Sequence, residues 1–143
     1  MITTKVYPSV PEERLVSAAV AFGLQELSIS EQTLSKNLNL RVVSSRSSTH
    51  RGLTNSTPTN LSVIVYAGSC SDLREIVHTL FHELAHVQQL SHAVDHSHHV
   101  KHTDHYEEEA EAVAYGLLWK FEAMYGRLRI HNSKTPEVKI SSL

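Results

Sequence analysis

Apolar residues along this chain fall into two alternating runs and three helical ones. In "NLNLRVV" (37–43), Leu38, Leu40 and Val42 recur at every second position with polar neighbours between them, which predicts a strand buried on one face. "LSVIVYAG" (61–68) reads as a second, more apolar strand stopped by Gly68. Residues 44–60 between them are almost all small, polar or turn-forming, and predict a long exposed loop or a hairpin with ragged strands. Helical spacing begins in "PEERLVSAAVAFGLQEL", where Leu15, Ala18, Ala19 and Phe22 share a face behind Pro11 and two acidic residues. It returns over 72–90, with Leu73, Ile76, Val77, Leu80, Leu84 and Val87 on one stripe and Asp72 and Glu75 spaced as a capping box. A last helix is expected from near Tyr106 to Gly126, with Leu118, Trp119 and Phe121 as core residues.

These elements predict an α+β fold in which a small antiparallel or mixed sheet packs against the 72–90 helix, with the other two helices on the same core. A chain of 143 residues suits one domain. The expected boundaries are a single domain over 1–143, with a loose lead-in at 1–10 and a loose tail at 132–143.

Composition narrows the function classes. Hydrophobic residues make up 41% and charged residues 20%, the balance of a globular protein rather than a disordered one. The net charge of -2 offers no electrostatic footprint for nucleic acid. No apolar run is long enough to span a bilayer, so no membrane association is expected. Cys70 is the only cysteine, which leaves no intrachain disulfide and points to the cytoplasm. Cys70 itself reads as inert.

The chemistry is concentrated in "HTLFHELAHVQQLSH" (78–92). His82, Glu83 and His86 spell H-E-x-x-H. Residues four apart on a helix share a face with Cβ atoms about 6 Å apart, so two imidazoles can reach one Zn²⁺. The intervening glutamate lies beside the ion and can take a proton from an activated water. With 11 histidines in the chain, the pattern alone is a moderate signal. Its place in mid-helix, after a strand and opposite an apolar stripe, strengthens it. His78, one turn earlier, reads as a surface histidine or one that supports a ligand.

A catalytic zinc commonly has three protein ligands and one open position. Three sources compete for the third: Glu107 in "YEEEAEAVA", His92, or a histidine of the following connector (His96, His98, His99, His102 or His105). His92 has the spacing H-E-x-x-H-x-x-Gly-x-x-H of metzincins, but Gln89 stands where that pattern needs a glycine able to take positive φ. A connector histidine would give the arrangement of small zincins with a third histidine. The six histidines from His92 to His105 otherwise read as a solvated loop.

The pair "HELAH" and "EEEAEAVA" resembles the gluzincin branch of the zinc peptidases, especially its very small members, over residues 61–125. There a second helix supplies a glutamate ligand in the pattern E-x-x-Ala-[Asp/Glu]. The resemblance implies a minimal zincin-like fold, with Glu107 as third ligand, Ala110 allowing close helix approach, and Glu111 fixing a histidine ligand through its other ring nitrogen. Glu108 and Glu109 would then point away. It also implies that the strand before the H-E-x-x-H helix is the edge strand that pairs with an extended substrate.

The expected function is therefore a zinc-dependent metallopeptidase acting on a peptide or protein, with Glu83 as proton carrier. His105, Tyr106 and Tyr115 are the candidate donors to the oxyanion, although packing is the simpler role for both tyrosines. The competing reading is a non-catalytic zinc-binding or interaction module with a zincin-like fold. Such a module has no need of a base at Glu83. Oligomeric state and substrate identity leave no mark in the sequence.

Overall fold

The protein is described by a computed structural model over residues 1–91, 103–130 and 138–141. The elements run β1 (Ile2–Val6), α1 (Glu13–Glu26), β2 (Asn37–Val43), β3 (Gly52–Ser56), β4 (Asn60–Tyr66), α2 (Leu73–Ser91), α3 (Thr103–Tyr125), β5 (Arg127–Ile130) and β6 (Val138–Ser141). This is an α+β fold, with a four-stranded mixed sheet in the order β1-β2-β4-β3 and a separate β5–β6 pair.

The alternation in β2 and β4 dictates the core. Their pairing is parallel and sets Leu38 beside Leu61, Leu40 beside Val63, and Val42 beside Val65. All six side chains are buried on the face that the helices cover. Helices α1, α2 and α3 meet over this face through Phe22, Phe81 and Phe121, whose ring centroids lie 5.4–5.9 Å apart. Aromatic rings at that spacing bind three elements with a large apolar area.

Several expectations need correction. Residues 2–6 are a strand rather than a loose lead-in: β1 lies parallel to β2, with Thr4 beside Leu40. Its only apolar residues are Ile2 and Val6 at the two ends, so alternation is weak, and backbone pairing to β2 defines it. Of the two readings of 44–60, the loop gives way to the hairpin: β3 runs antiparallel to β4 through a turn in which Thr57 and Asn60 bond each other. β3 is consequently the sheet edge, and the strand before the H-E-x-x-H helix, β4, is internal. In the expected loose tail, Val138–Ser141 forms β6 against β5. Trp119 is not core but 77% exposed. The buried stripe of α3 is Ala110, Ala114, Leu117, Leu118 and Phe121, and one residue beyond Leu118 the helix turns Trp119 outward.

The start of α2 and the end of α3 follow their sequence signals, whereas α1 begins at Glu13, after Pro11 and a left-handed Glu12 with φ of 52°. Asp72 Oδ1 accepts from the Glu75 backbone N–H at 2.7 Å, and the Glu75 carboxylate accepts from Ser71 N at 3.0 Å, closing a cap over the start of α2. α3 stops at Gly126, whose φ of 93° lets the chain leave the helix while its N–H donates to Glu122 O. No helix among the described residues is long and apolar enough to cross a membrane.

Candidate metal centre

Helix α2 presents two faces. Leu73, Ile76, Val77, Leu80, Leu84 and Val87 enter the core, and the remaining face, bearing His78, His82, Glu83 and His86, meets α3 and the start of β3. α3 approaches closely because Ala110 and Ala114, both fully buried, carry so little side chain. Glu107 and Glu111, one turn apart, then face the histidines.

His82, His86 and Glu107 come together as a group that can hold a metal ion. The two Nε2 atoms are 3.2 Å apart, and the Glu107 carboxylate oxygens lie 3.0 Å from His82 Nε2 and 2.8 Å from His86 Nε2. Two donors about 2.0–2.1 Å from one tetrahedral ion stand about 3.3 Å apart, so the spacing fits with small adjustments.

Proton positions support the same conclusion. His82 Nδ1 lies 2.6 Å from Glu111 Oε1, and an ionised carboxylate only accepts, so Nδ1 carries the proton. His86 Nδ1 lies 2.8 Å from Gln89 Oε1. The Gln89 amide is oriented by two acceptors, Tyr106 O at 2.9 Å and Glu109 Oε1 at 3.1 Å, which claim its NH₂ and leave its oxygen for the histidine. A ring held by Nδ1 in this way turns Nε2 toward the other ring and Glu107. Nε2 of both rings and the Glu107 carboxylate thus converge on one point, where a cation can satisfy all three.

Glu83 stands beside this group without belonging to it. Its side chain is buried, and burial pushes its carboxyl above the usual range, opposed by the Thr54 hydrogen bond and by His82 and His86. Thr54 Oγ1 donates to Glu83 Oε1 at 2.7 Å. Thr54 reaches it because Thr54 pairs with Val63 and shares that residue's helix-facing side of the sheet. Gly52, two residues earlier on the same face, makes the approach possible. A Cβ there would stand 2.8 Å from Thr79 Cγ2 and 2.9 Å from Glu83 Cγ.

Two clefts flank the group. One, of about 490 Å³, is walled by residues 47–52 and by His78, His82, Glu83 and Glu111. The other, of about 320 Å³, runs along β3 past Leu53, Thr54 and Ser56 to His86, Leu90 and Glu107. Volumes of this order accept side chains or a short peptide.

The structure thus brings His82, Glu83, His86, Glu107 and Glu111 together. His92, the alternative third ligand, and the connector histidines His96, His98, His99 and His102 lie outside the described residues. Glu108 is exposed, whereas Glu109 turns back far enough to accept from Gln89. His78 is half-buried, its ring 4.5 Å from that of Tyr115; its Nε2 lies 3.6 Å from Glu111 Oε1 and has no hydrogen-bond partner among the described residues. Burial lowers its pKa. His105, Tyr106 and Tyr115 line neither cleft beside Glu83. Thr54 and the supporting role of Gln89 were not foreseen. Gln89 had a detectable signal: a polar residue three positions after His86, within hydrogen-bonding reach of that ring on a helix.

The chain was compared with protein-family models, with curated proteins and with solved structures, and none of the three comparisons found a match.

Proposed function

We propose that this protein is a zinc-dependent metallopeptidase with a minimal zincin-like fold of the gluzincin type. The observation that carries the reading is the convergence of two imidazole Nε2 atoms and the Glu107 carboxylate beside a buried carboxylate, Glu83, between two open clefts. Two nitrogens and one carboxylate oxygen form a donor set suited to zinc and leave a tetrahedral position for water or substrate. When bound, zinc supplies Lewis acidity, which acidifies water and polarises a carbonyl.

The chain's own residues do the rest. His82, His86 and Glu107 hold the ion, while Glu111 and Gln89 keep both rings turned with Nε2 inward. Glu83 takes the proton of the attacking water and passes it to the leaving amine. Thr54 holds the Glu83 carboxylate in one orientation for that transfer. The substrate is a peptide or protein segment lying through the two clefts. The lone cysteine, Cys70, fits a cytoplasmic setting.

A non-catalytic zinc module would use the same three ligands. The costly burial of Glu83, with Thr54 bound to it, favours catalysis, because storage needs no oriented base. Glu83→Gln tests this. The variant is expected to bind one zinc with parental affinity and to lose at least about a hundredfold in peptide hydrolysis, the lower range for a lost general base. Equal hydrolysis by parent and variant would remove the mechanism.

A further inference from the structure

We propose that His50 is a further catalytic residue of this site, donating from Nε2 to the peptide oxygen that gains negative charge when the scissile carbonyl becomes tetrahedral. The inference rests on the peptidase reading. Acyl transfer needs a donor aimed at that oxygen, in addition to the group that moves the proton.

Four residues line both clefts: His50, Gly52, His82 and Glu83. A substrate bond passing from one cleft to the other must pass these four. His82 is committed to the metal group, Glu83 is the base, and Gly52 has no side chain. His50 is the remaining side chain with an N–H, and it comes from the wall opposite α2.

Its position is built rather than accidental. Gly52 packs its backbone against Glu83 and Thr79, which brings the chain two residues earlier to the rim above Glu83. Immediately before Gly52, Arg51 O accepts from Tyr66 N at 2.7 Å. On the other side, Ser47 Oγ accepts from the backbone N–H groups of Thr49 and His50, each at 3.3 Å. Ser47 is itself clamped to Ser69, whose hydroxyl accepts from Ser47 N at 2.7 Å and donates to Ser47 O at 3.0 Å. The loop thus has fixed points at both ends of His50.

The ring is also set for donation. Thr49 Oγ1 lies 2.7 Å from His50 Nδ1. When the Thr49 hydroxyl donates to Nδ1, the ring proton sits on Nε2, and a doubly protonated ring also carries hydrogen there; only a neutral ring with its proton on Nδ1 leaves Nε2 bare. Exposure of His50 suits a group that meets the carbonyl only when substrate fills the clefts.

The test uses the zinc-loaded full chain, a quenched-fluorescence peptide, and a phosphinate peptide that mimics the tetrahedral carbon with its two oxygens. His50→Ala is expected to lower kcat by about a hundredfold or more, the usual loss for one oxyanion donor, with KM little changed. Phosphinate affinity is expected to fall at least tenfold, zinc content and melting temperature to stay parental, and Thr49→Val to show a smaller loss of the same kind. A kcat and phosphinate affinity equal to the parent's in His50→Ala, with Glu83→Gln inactive, would overturn the role of His50 and leave the peptidase reading standing. A parent that neither cleaves peptides nor binds the phosphinate would overturn both.

Discussion

Gln89 holds His86. Its amide oxygen lies 2.8 Å from His86 Nδ1, while its nitrogen is taken by Tyr106 O and the Glu109 carboxylate. A residue that the metzincin pattern marks as a misfit is thereby a supporting part of the metal group, and it ties α2 to the first turns of α3. Gln89→Ala is expected to weaken zinc binding about 10–100-fold, the usual effect of losing such a partner. Gln89→Glu keeps an acceptor toward His86 but sets a carboxylate oxygen against Tyr106 O and the Glu109 carboxylate, so it should not restore parental binding. Competition with a chromophoric chelator measures both.

Among the acidic residues of α3, Glu107→Ala should cause the largest loss of zinc affinity, since Glu107 alone places its carboxylate against both Nε2 atoms. Glu111→Ala should cost about 10–100-fold, because it frees His82 Nδ1 rather than removing a ligand. Glu108→Ala, at an exposed site, should bind as the parent does. A chelator should lower the melting temperature of the parent and leave that of Glu107→Ala nearly unchanged, because only native-state binding adds stability. Equal affinities for Glu107→Ala and Glu108→Ala would rule out Glu107 as a ligand.

Thr54→Val deletes the hydroxyl that bonds Glu83. That hydrogen bond favours the ionised carboxylate and opposes the upward push of burial. Without it the carboxyl rises further, so a higher pH is needed to keep the base ionised. The acid limb of kcat/KM against pH should therefore move to higher pH in the variant, with zinc content unchanged. A limb that stays in place, or moves to lower pH, would contradict the assignment of Thr54 to the base.

Burial pushes the Cys70 thiol up from 9.0 to about 11. At pH 8 such a thiol is ionised in about one molecule in a thousand, about a hundredfold less than one titrating at 9.0. Iodoacetamide should label native Cys70 about a hundredfold more slowly than the urea-unfolded chain. The neutral thiol's contribution to stability is fully present below pH 9.0 and is lost as pH rises toward about 11. The midpoint of urea unfolding should consequently fall more steeply over that interval in the parent than in Cys70→Ala.

Elements with internal periodicity were legible in the sequence. Leu38, Leu40 and Val42 announce a strand because each buries a side chain, and the stripe from Leu73 to Val87 announces α2 for the same reason. The four-residue spacing of His82–His86 and Glu107–Glu111 made most of the metal group readable, since a helix turns such pairs to one side. β1 was not readable, and β3 was readable only as one strand of a ragged hairpin, an alternative to a loop over 44–60. Thr3, Thr4, Thr54 and Asn55 have little to bury; β1 exists through hydrogen bonds to β2, remote in sequence, and β3 through hydrogen bonds to β4 across a short turn. Thr54 escaped notice with its strand. Trp119 was misplaced by size: a large ring suggests burial, but the Ala110–Ala114–Leu118 spacing already assigns the inner face of α3 to other residues.

The four residues that grip or brace the rings through α2 and α3, namely Glu107, Glu111, Gln89 and Glu109, all lie C-terminal to the motif, whereas Thr54 and Gly52 reach Glu83 from the sheet edge. The groups that brace the rings and the groups that brace Glu83 thus come from separate stretches of chain, although Glu83 itself sits between the two histidines. Damage to the β3 edge would leave a zinc-loaded protein that does nothing, and metal content alone would report it as healthy. Conversely, all three candidate ligands are carried by the two helices, so a change confined to the edge strand would alter the surroundings of Glu83 while leaving those three side chains in place.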